Sequence, residues 1–179
     1  AVMVSCSDGD LDNVLTIAWT GIINSEPPIT YVSVRKSRYS HQLIEKSGEF
    51  VINLVNEELA RSADYCGVKS GRNEDKFAKC NLSKMPADHV KAPLIKESPV
   101  NLECKVLEIK EYQTHDMFIA EIVAVHADEE LFDDDGRIRL DLAGMVAFNH
   151  GEYFGIKRKP IGRFGFSVMK KSTKKRINR

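Results

Sequence analysis

The chain has 179 residues, 42% hydrophobic and 29% charged, which is enough apolar material for one compact domain and predicts no second folding unit. Its formal charge is zero, but Lys170 to Arg179 carries six cations and no acid, so the first 169 residues stand at −6. No window approaches the roughly 18 uninterrupted apolar residues of a membrane span, and the start lacks a charged segment leading into a long apolar core, so a soluble cytoplasmic protein is expected, without membrane or nucleic-acid partners.

Val2 to Cys6 reads as a strand and Ser7 to Asp12 as a turn, because Asp and Gly tolerate the backbone angles that hairpins need. Asn13 to Thr20 and Ile29 to Val34 are rich in β-branched and aromatic residues, with a loop closed by Pro27 and Pro28 between them. A short helix follows, with Ser40 as N-cap and Gly48 as its stop, and then a strand over Glu49 to Leu54. Asn56 caps a second helix ended by Gly67, and the segment from Ser70 to Cys80 suggests a loop entering one more helical turn. Met85 to Pro99, with three prolines and no period, is a connection. Val100 to Tyr112 and Met117 to Val125 form an antiparallel pair around a turn at Gln113 to Asp116, and a turn at Asp135-Gly136 introduces one or two further strands. Six or more strands in sequential hairpins, with short helices, imply a mainly β antiparallel barrel with the helices packed outside. The domain is expected over residues 1–168, and the basic run at 169–179 reads as a disordered tail.

Several chemistries are excluded. No GxGxxG follows a strand, no GxxxxGK[ST] occurs, the acidic runs miss the EF-hand register, and no GxSxG elbow appears. Cys6, Cys66, Cys80 and Cys104 make no CxxC pair and no metal-ligand spacing, and read as buried free thiols. The cluster RKSRYS, Arg35 to Ser40, differs from these: cations, hydroxyls and the N–H groups of a helix start suit a phosphate, although a solvated basic turn would have the same composition. Trp19 is either a wall for a planar ligand or an ordinary core residue.

With NVLTIAWTG before the cluster and GEFVINL after it, the segment resembles the flavin reductase-like family, the FMN-binding split barrels that include flavoredoxins. The likeness continues through DYCGVKSGRNEDKF, APLIKESPVNLECKV, THDMFIAEIVAV and HGEYF. It implies a split β-barrel that binds FMN, with Thr16, Ile17, Ala18, Trp19 and Thr20 along the isoalloxazine ring and Ser33, Val34, Arg35, Lys36, Ser37 and Ser40 on the ribityl chain and phosphate. Asn53, Ser70, Gly71 and Lys76 match further cofactor-side positions, and His150 and Tyr153 match a C-terminal pair that approaches the flavin across a homodimer interface. Some members carry Gly-Asp-His near the nicotinamide site, and Gln113-Thr114-His115 keeps only the His. The implied activity is NAD(P)H:flavin oxidoreduction through flavin N5, with no catalytic side chain and no metal. A flavoredoxin-like electron carrier reduced by a redox protein, or a flavin-binding module without turnover, are the alternatives.

Overall fold

The computed structural model describes residues 1–157, 159–162 and 164–169; the basic run from Lys170 to Arg179 lies outside the described residues. Seven strands form one antiparallel sheet in the order β2-β1-β5-β8-β9-β4-β3. They are β1 (Val2–Ser7), β2 (Asp12–Ile17), β3 (Thr20–Ser25), β4 (Pro28–Arg35), β5 (Glu49–Leu54), β8 (Val100–Glu111) and β9 (His115–Ala127). Two-stranded ribbons, β6 (Lys84–Met85) with β7 (Leu94–Ile95) and β10 (Val146–Asn149) with β11 (Glu152–Gly155), flank it.

The sheet curls because both faces carry apolar side chains. Val4, Leu15, Ile17, Val32, Val34, Phe50 and Phe118 meet inside with Leu43 and Ile44 of α1 (Tyr39–Ser47). Outside, Met3 and Val14 pack under Leu59, Ala63 and Cys66 of the α2 (Ala60–Val68) region and Phe77 of the one-turn α3 (Lys76–Lys79). The curl brings β2 near β4 without pairing them, and one backbone bond, Ser33 N–H to Trp19 O at 3.0 Å, crosses at the end of the gap. The barrel is therefore split along β2.

Local details depart from expectation for identifiable reasons. The Asn13 to Thr20 run divides at Ala18-Trp19 into β2 and β3, so four strands, not three, precede the basic cluster. Helix α1 starts one residue before Ser40, with Arg38 as an uncapped N-cap, because the Ser40 hydroxyl accepts a 2.7 Å bond from the Asn13 amide instead. Gly48 does stop α1, with φ 69°, in the left-handed region where a Cβ is unfavourable. Helix α2 runs one residue past Gly67, whose missing side chain lets Thr16 approach: a Cβ there would lie 3.3 Å from Thr16 Cβ.

The connection between β6 and β8 is held by buried carboxylate and amide chemistry. Glu103, fully buried, accepts the Asp88 N–H at 2.8 Å, the His89 N–H at 2.7 Å and His126 Nε2 at 2.6 Å. Asn53, also fully buried, donates to Met3 O and Ser5 Oγ and accepts from Ile95 N–H and Asn101 Nδ2.

Candidate functional site

Two cavities lie end to end in the split. One, of about 190 Å³, is lined by Leu15, Thr16, Ile17, Ala18 and Trp19 on one side and by Ser33, Val34, Arg35, Arg38 and His115 on the other. The second, of about 320 Å³, is lined by Asn13, Leu15, Arg35, Ser37, Arg38, Tyr39, Ser40, Cys66, Lys69, Ser70, Gly71 and Lys76. Leu15, Arg35 and Arg38 belong to both, so the cleft is continuous.

The second cavity is an anion site by composition. Among the described residues four cations face it, Arg35, Arg38, Lys69 and Lys76, together with the hydroxyls of Ser37, Ser40 and Ser70, and no carboxylate lines it. Residues Ser37 to Ser40 also bring the start of α1, whose first turn holds no acid and no side-chain cap, so free N–H groups and the positive end of the helix dipole point the same way. Lys76 is 3% exposed, and its ammonium donates to Cys66 O at 3.1 Å and Lys69 O at 3.2 Å, which closes the end of α2. Among the described residues it has no carboxylate within 4 Å, and neither do Arg35, Arg38 and Lys69. Burial pushes the Lys76 ammonium below its ordinary pKa, and the Arg38 charge adds to that push. An anion in the cavity would relieve both penalties.

The first cavity offers a different surface. Strand β2 is the sheet's edge, bonded to β1 alone, so alternate N–H and C=O groups of its far side face the cleft unpaired. The Thr16 hydroxyl is turned away to bond Ala63 O, which leaves its backbone as the group on offer. Trp19 stands at the mouth, 60% exposed, with its ring 4.6 Å from that of His115 and tilted by 39°. Burial, and then the Arg35 charge, pushes the His115 imidazole below its ordinary 6.5, which favours its neutral form. An amide edge, an aromatic wall and an adjoining anion pocket together suit a planar, amide-bearing ring linked to a phosphate.

Most of the expected site residues meet here. Thr16, Ile17, Ala18, Trp19, Ser33, Val34 and Arg35 line the first cavity, and Ser37, Ser40, Ser70, Gly71 and Lys76 line the second. Five others are placed elsewhere. Lys36 lines neither cavity, because its ammonium is drawn to Asp116 at 3.1 Å and Glu111 at 3.4 Å. Thr20 bonds Tyr31 O and staples β3 to β4, and Asn53 is consumed by the buried network described above. His150, with φ 49°, forms the turn between β10 and β11. Tyr153 packs against Phe148, with ring centroids 4.9 Å apart and planes tilted by 58°, in a third cavity that reaches Thr16 and Ala18 of its own chain.

The structure adds Asn13, Leu15, Arg38, Tyr39, Cys66 and Lys69. Arg38 stood inside the cluster already quoted, and its spacing of three from Arg35 was the available signal. Asn13 has no local signal: it reaches the site because Gly71 lacks a side chain, and a Cβ there would overlap its amide.

A family model described as flavin reductase like domain matches residues 1–157. The fold superposes on flavoredoxin of Desulfovibrio vulgaris (Miyazaki F) with a TM-score of 0.86 and 35% identity, covering 93% of this chain and 91% of that one. Flavoredoxin from Methanosarcina acetivorans superposes with a TM-score of 0.84 and 27% identity, over 94% and 91% of the two chains. Over 127 residues the sequence is 32% identical to a high molecular weight rubredoxin of Moorella thermoacetica, 67% of this chain and 52% of that relative, so it spans about half of that protein's length.

Proposed function

The chain belongs to the flavin reductase-like domain family, and from that premise we propose that it binds FMN noncovalently in the split and passes electrons from NAD(P)H through it. The observation that carries this reading is the acid-free cavity with four inward cations, continuous with the unpaired edge of β2. Arg35, Arg38, Lys69 and Lys76 with Ser37, Ser40 and Ser70 would hold the phosphate, and the backbone of residues 16–18 would hold the polar edge of the ring. Bound there, FMN would supply reversible acceptance of a hydride at N5 and return of its two electrons, together or one at a time, with the proton released. Trp19 and His115 cover one side of the first cavity and set the opening through which a donor enters. The Arg35 charge disfavours a second positive charge on His115 at that opening.

A second reading, a flavoredoxin-like carrier reduced by another redox protein, is favoured by one observation: Gln113 and Thr114 replace the Gly-Asp that precedes the nicotinamide-side His in some members. The protein is also proposed to be a homodimer, because Ile22, Ile23, Leu107, Ile109 and Val125 are exposed on β3, β8 and β9, apolar surface that a second copy would cover.

The experiment is spectroscopic. The purified protein should be yellow, or should bind added FMN, and anaerobic NADH or NADPH should bleach it. Failure to bind FMN refutes the assignment. Bleaching by a reduced iron–sulfur protein but by neither nucleotide replaces the first reading with the second. Light scattering that gives a monomer with FMN bound refutes the dimer alone.

A further inference from the structure

Two thiols touch at the wall of the anion cavity. Cys66 Sγ and Cys80 Sγ lie 3.9 Å apart, and among the described residues all four cysteines are free. Cys66 is buried, sits in α2 and lines the cavity, whereas Cys80 is half-buried and forms the C-cap of the one-turn α3. A disulfide needs its sulfurs about 2 Å apart, so closing the bond requires an approach of about 2 Å. Closure would draw the end of this single helical turn toward α2.

The two sulfurs differ in reactivity. Burial, with Cys80 beside it, pushes the Cys66 thiol up to about 12, so it is held as the neutral thiol and is shielded from solvent. Cys80 is the one that an external oxidant reaches first. The pair places an accessible sulfur 3.9 Å from a buried one, which can resolve it only by giving up its proton to the departing hydroxyl as the S–S bond forms.

The ring that a bond would close, residues 66–80, contains Lys69, Ser70, Gly71 and Lys76, which with Cys66 itself make up the cavity wall contributed by the α2–α3 segment. The wall is already tied to both sulfurs through the backbone: Lys76 Nζ donates to Cys66 O at 3.1 Å, and the Cys80 N–H donates to Lys76 O at 3.0 Å. Moving Cys80 toward α2 carries Lys76 with it.

We propose that Cys66 and Cys80 form a reversible disulfide site, oxidised by a peroxide, whose closure shifts Lys76 and weakens anion binding in the cavity. Peroxide transfers one oxygen to Cys80 Sγ, giving a sulfenic acid and one water. The Cys66 sulfur then attacks Cys80 Sγ. The S–S bond forms as the S–O bond breaks, and the hydroxyl leaves with the Cys66 proton as a second water. Two thiols have lost two electrons and two protons, and the peroxide has been reduced to two waters. A small dithiol reverses the step by exchange.

The disulfide stands on the thiol geometry alone, while its effect on ligand affinity rests on the proposed FMN reading. Reduced, folded protein is treated with equimolar hydrogen peroxide, then alkylated and digested, and its FMN and riboflavin affinities are measured before and after. The expected result is a peptide linking Cys66 to Cys80, loss of two hydrogens from the intact mass, and FMN affinity weakened by about tenfold with riboflavin little changed, the scale of losing one charge-assisted contact. Cys80→Ser should keep the reduced protein's FMN affinity and should be insensitive to peroxide. Absence of the 66–80 peptide from folded, peroxide-treated protein overturns the site, and a linked protein with unchanged FMN affinity overturns the regulation. If neither form binds FMN, the flavin reading falls, and the peptide map still decides the disulfide.

Discussion

Replacing Lys76 with Met keeps the length of the side chain and removes the one buried cation of the anion cavity. In the folded protein that residue is 3% exposed, its ammonium is bonded among the described residues to Cys66 O and Lys69 O, and it is held below its ordinary pKa by burial and Arg38. Two opposite effects on stability follow. The substitution leaves two carbonyls without their donor, yet it also removes a cation that was costly to bury, so the ligand-free protein should remain folded with a net loss of about 1 kcal/mol. Ligand binding has no such offset. A charge-assisted contact to a phosphate contributes about 1.5–3 kcal/mol, so FMN affinity should fall by roughly 10- to 150-fold while riboflavin affinity, which involves no phosphate, stays near wild type. Fluorescence titration with both flavins, and thermal melts without ligand, separate binding from folding. Lys36→Met serves as the contrast, since its ammonium is committed to Asp116 and Glu111, and it should leave the FMN-to-riboflavin ratio unchanged. Equal losses for both flavins in Lys76→Met, or a larger phosphate-specific loss in Lys36→Met, would refute this account of the cavity.

Gly71→Ala should reduce FMN binding as strongly, because the new Cβ displaces the Asn13 amide and with it the 2.7 Å bond to Ser40; a crystal structure or an affinity near wild type would disprove the close fit. His115 should titrate below 6.5 in an NMR pH series, and Arg35→Gln should raise its midpoint; a midpoint unmoved by the substitution would remove Arg35 from its surroundings. Glu103 yields an acid-dependent outcome. Burial raises its pKa, but the N–H of Asp88, His126 and the N–H of His89 outweigh burial and hold the carboxyl below its ordinary 4.5. Its folded-state pKa is thus lower than the unfolded one, so the stabilisation is full above about pH 4.5 and is lost as pH falls through the folded value. The amides of Asp88 and His89 should lose hydrogen-exchange protection at low pH before the β1–β2 pair does, and Glu103→Gln should abolish that order of events.

Much of the fold was legible because its signals are local. The β-branched strands, the Gly48 stop and the turn between the two long strands all follow from neighbouring residues; Gly48 stops α1 as expected, while that turn falls at residues 112–114 rather than Gln113 to Asp116, because His115 and Asp116 already pair in β9. The break at Ala18-Trp19 was not legible, since no Gly or Pro marks it and the run stays apolar on both sides. The site divides in the same way. The cluster from Arg35 to Ser40 was readable as a block of donors, but which cation faces inward depends on where β9 places Asp116, which takes Lys36 and leaves Arg38 to the cavity. The opposite wall is assembled from α2 and α3, more than 50 residues after Asn13 in the chain, and only family likeness pointed to Ser70, Gly71 and Lys76.

The split in the barrel also bears on how the protein avoids its own kind. Val14, Leu15 and Ile17 make β2 an apolar strand whose outer hydrogen-bonding row has no neighbour, the arrangement on which another chain can add a strand and start an aggregate. Here Arg35 and Arg38 crowd the row from across the cleft, Trp19 blocks one end, and α2 covers the adjoining face. The flat, amide-edged ring of the proposed cofactor, laid along the row, would take the position of the missing strand and satisfy groups that would otherwise recruit one. If the proposed cofactor lies there, ligand binding and protection of this edge are one contact, and ligand-free protein should aggregate more readily than loaded protein in a turbidity assay.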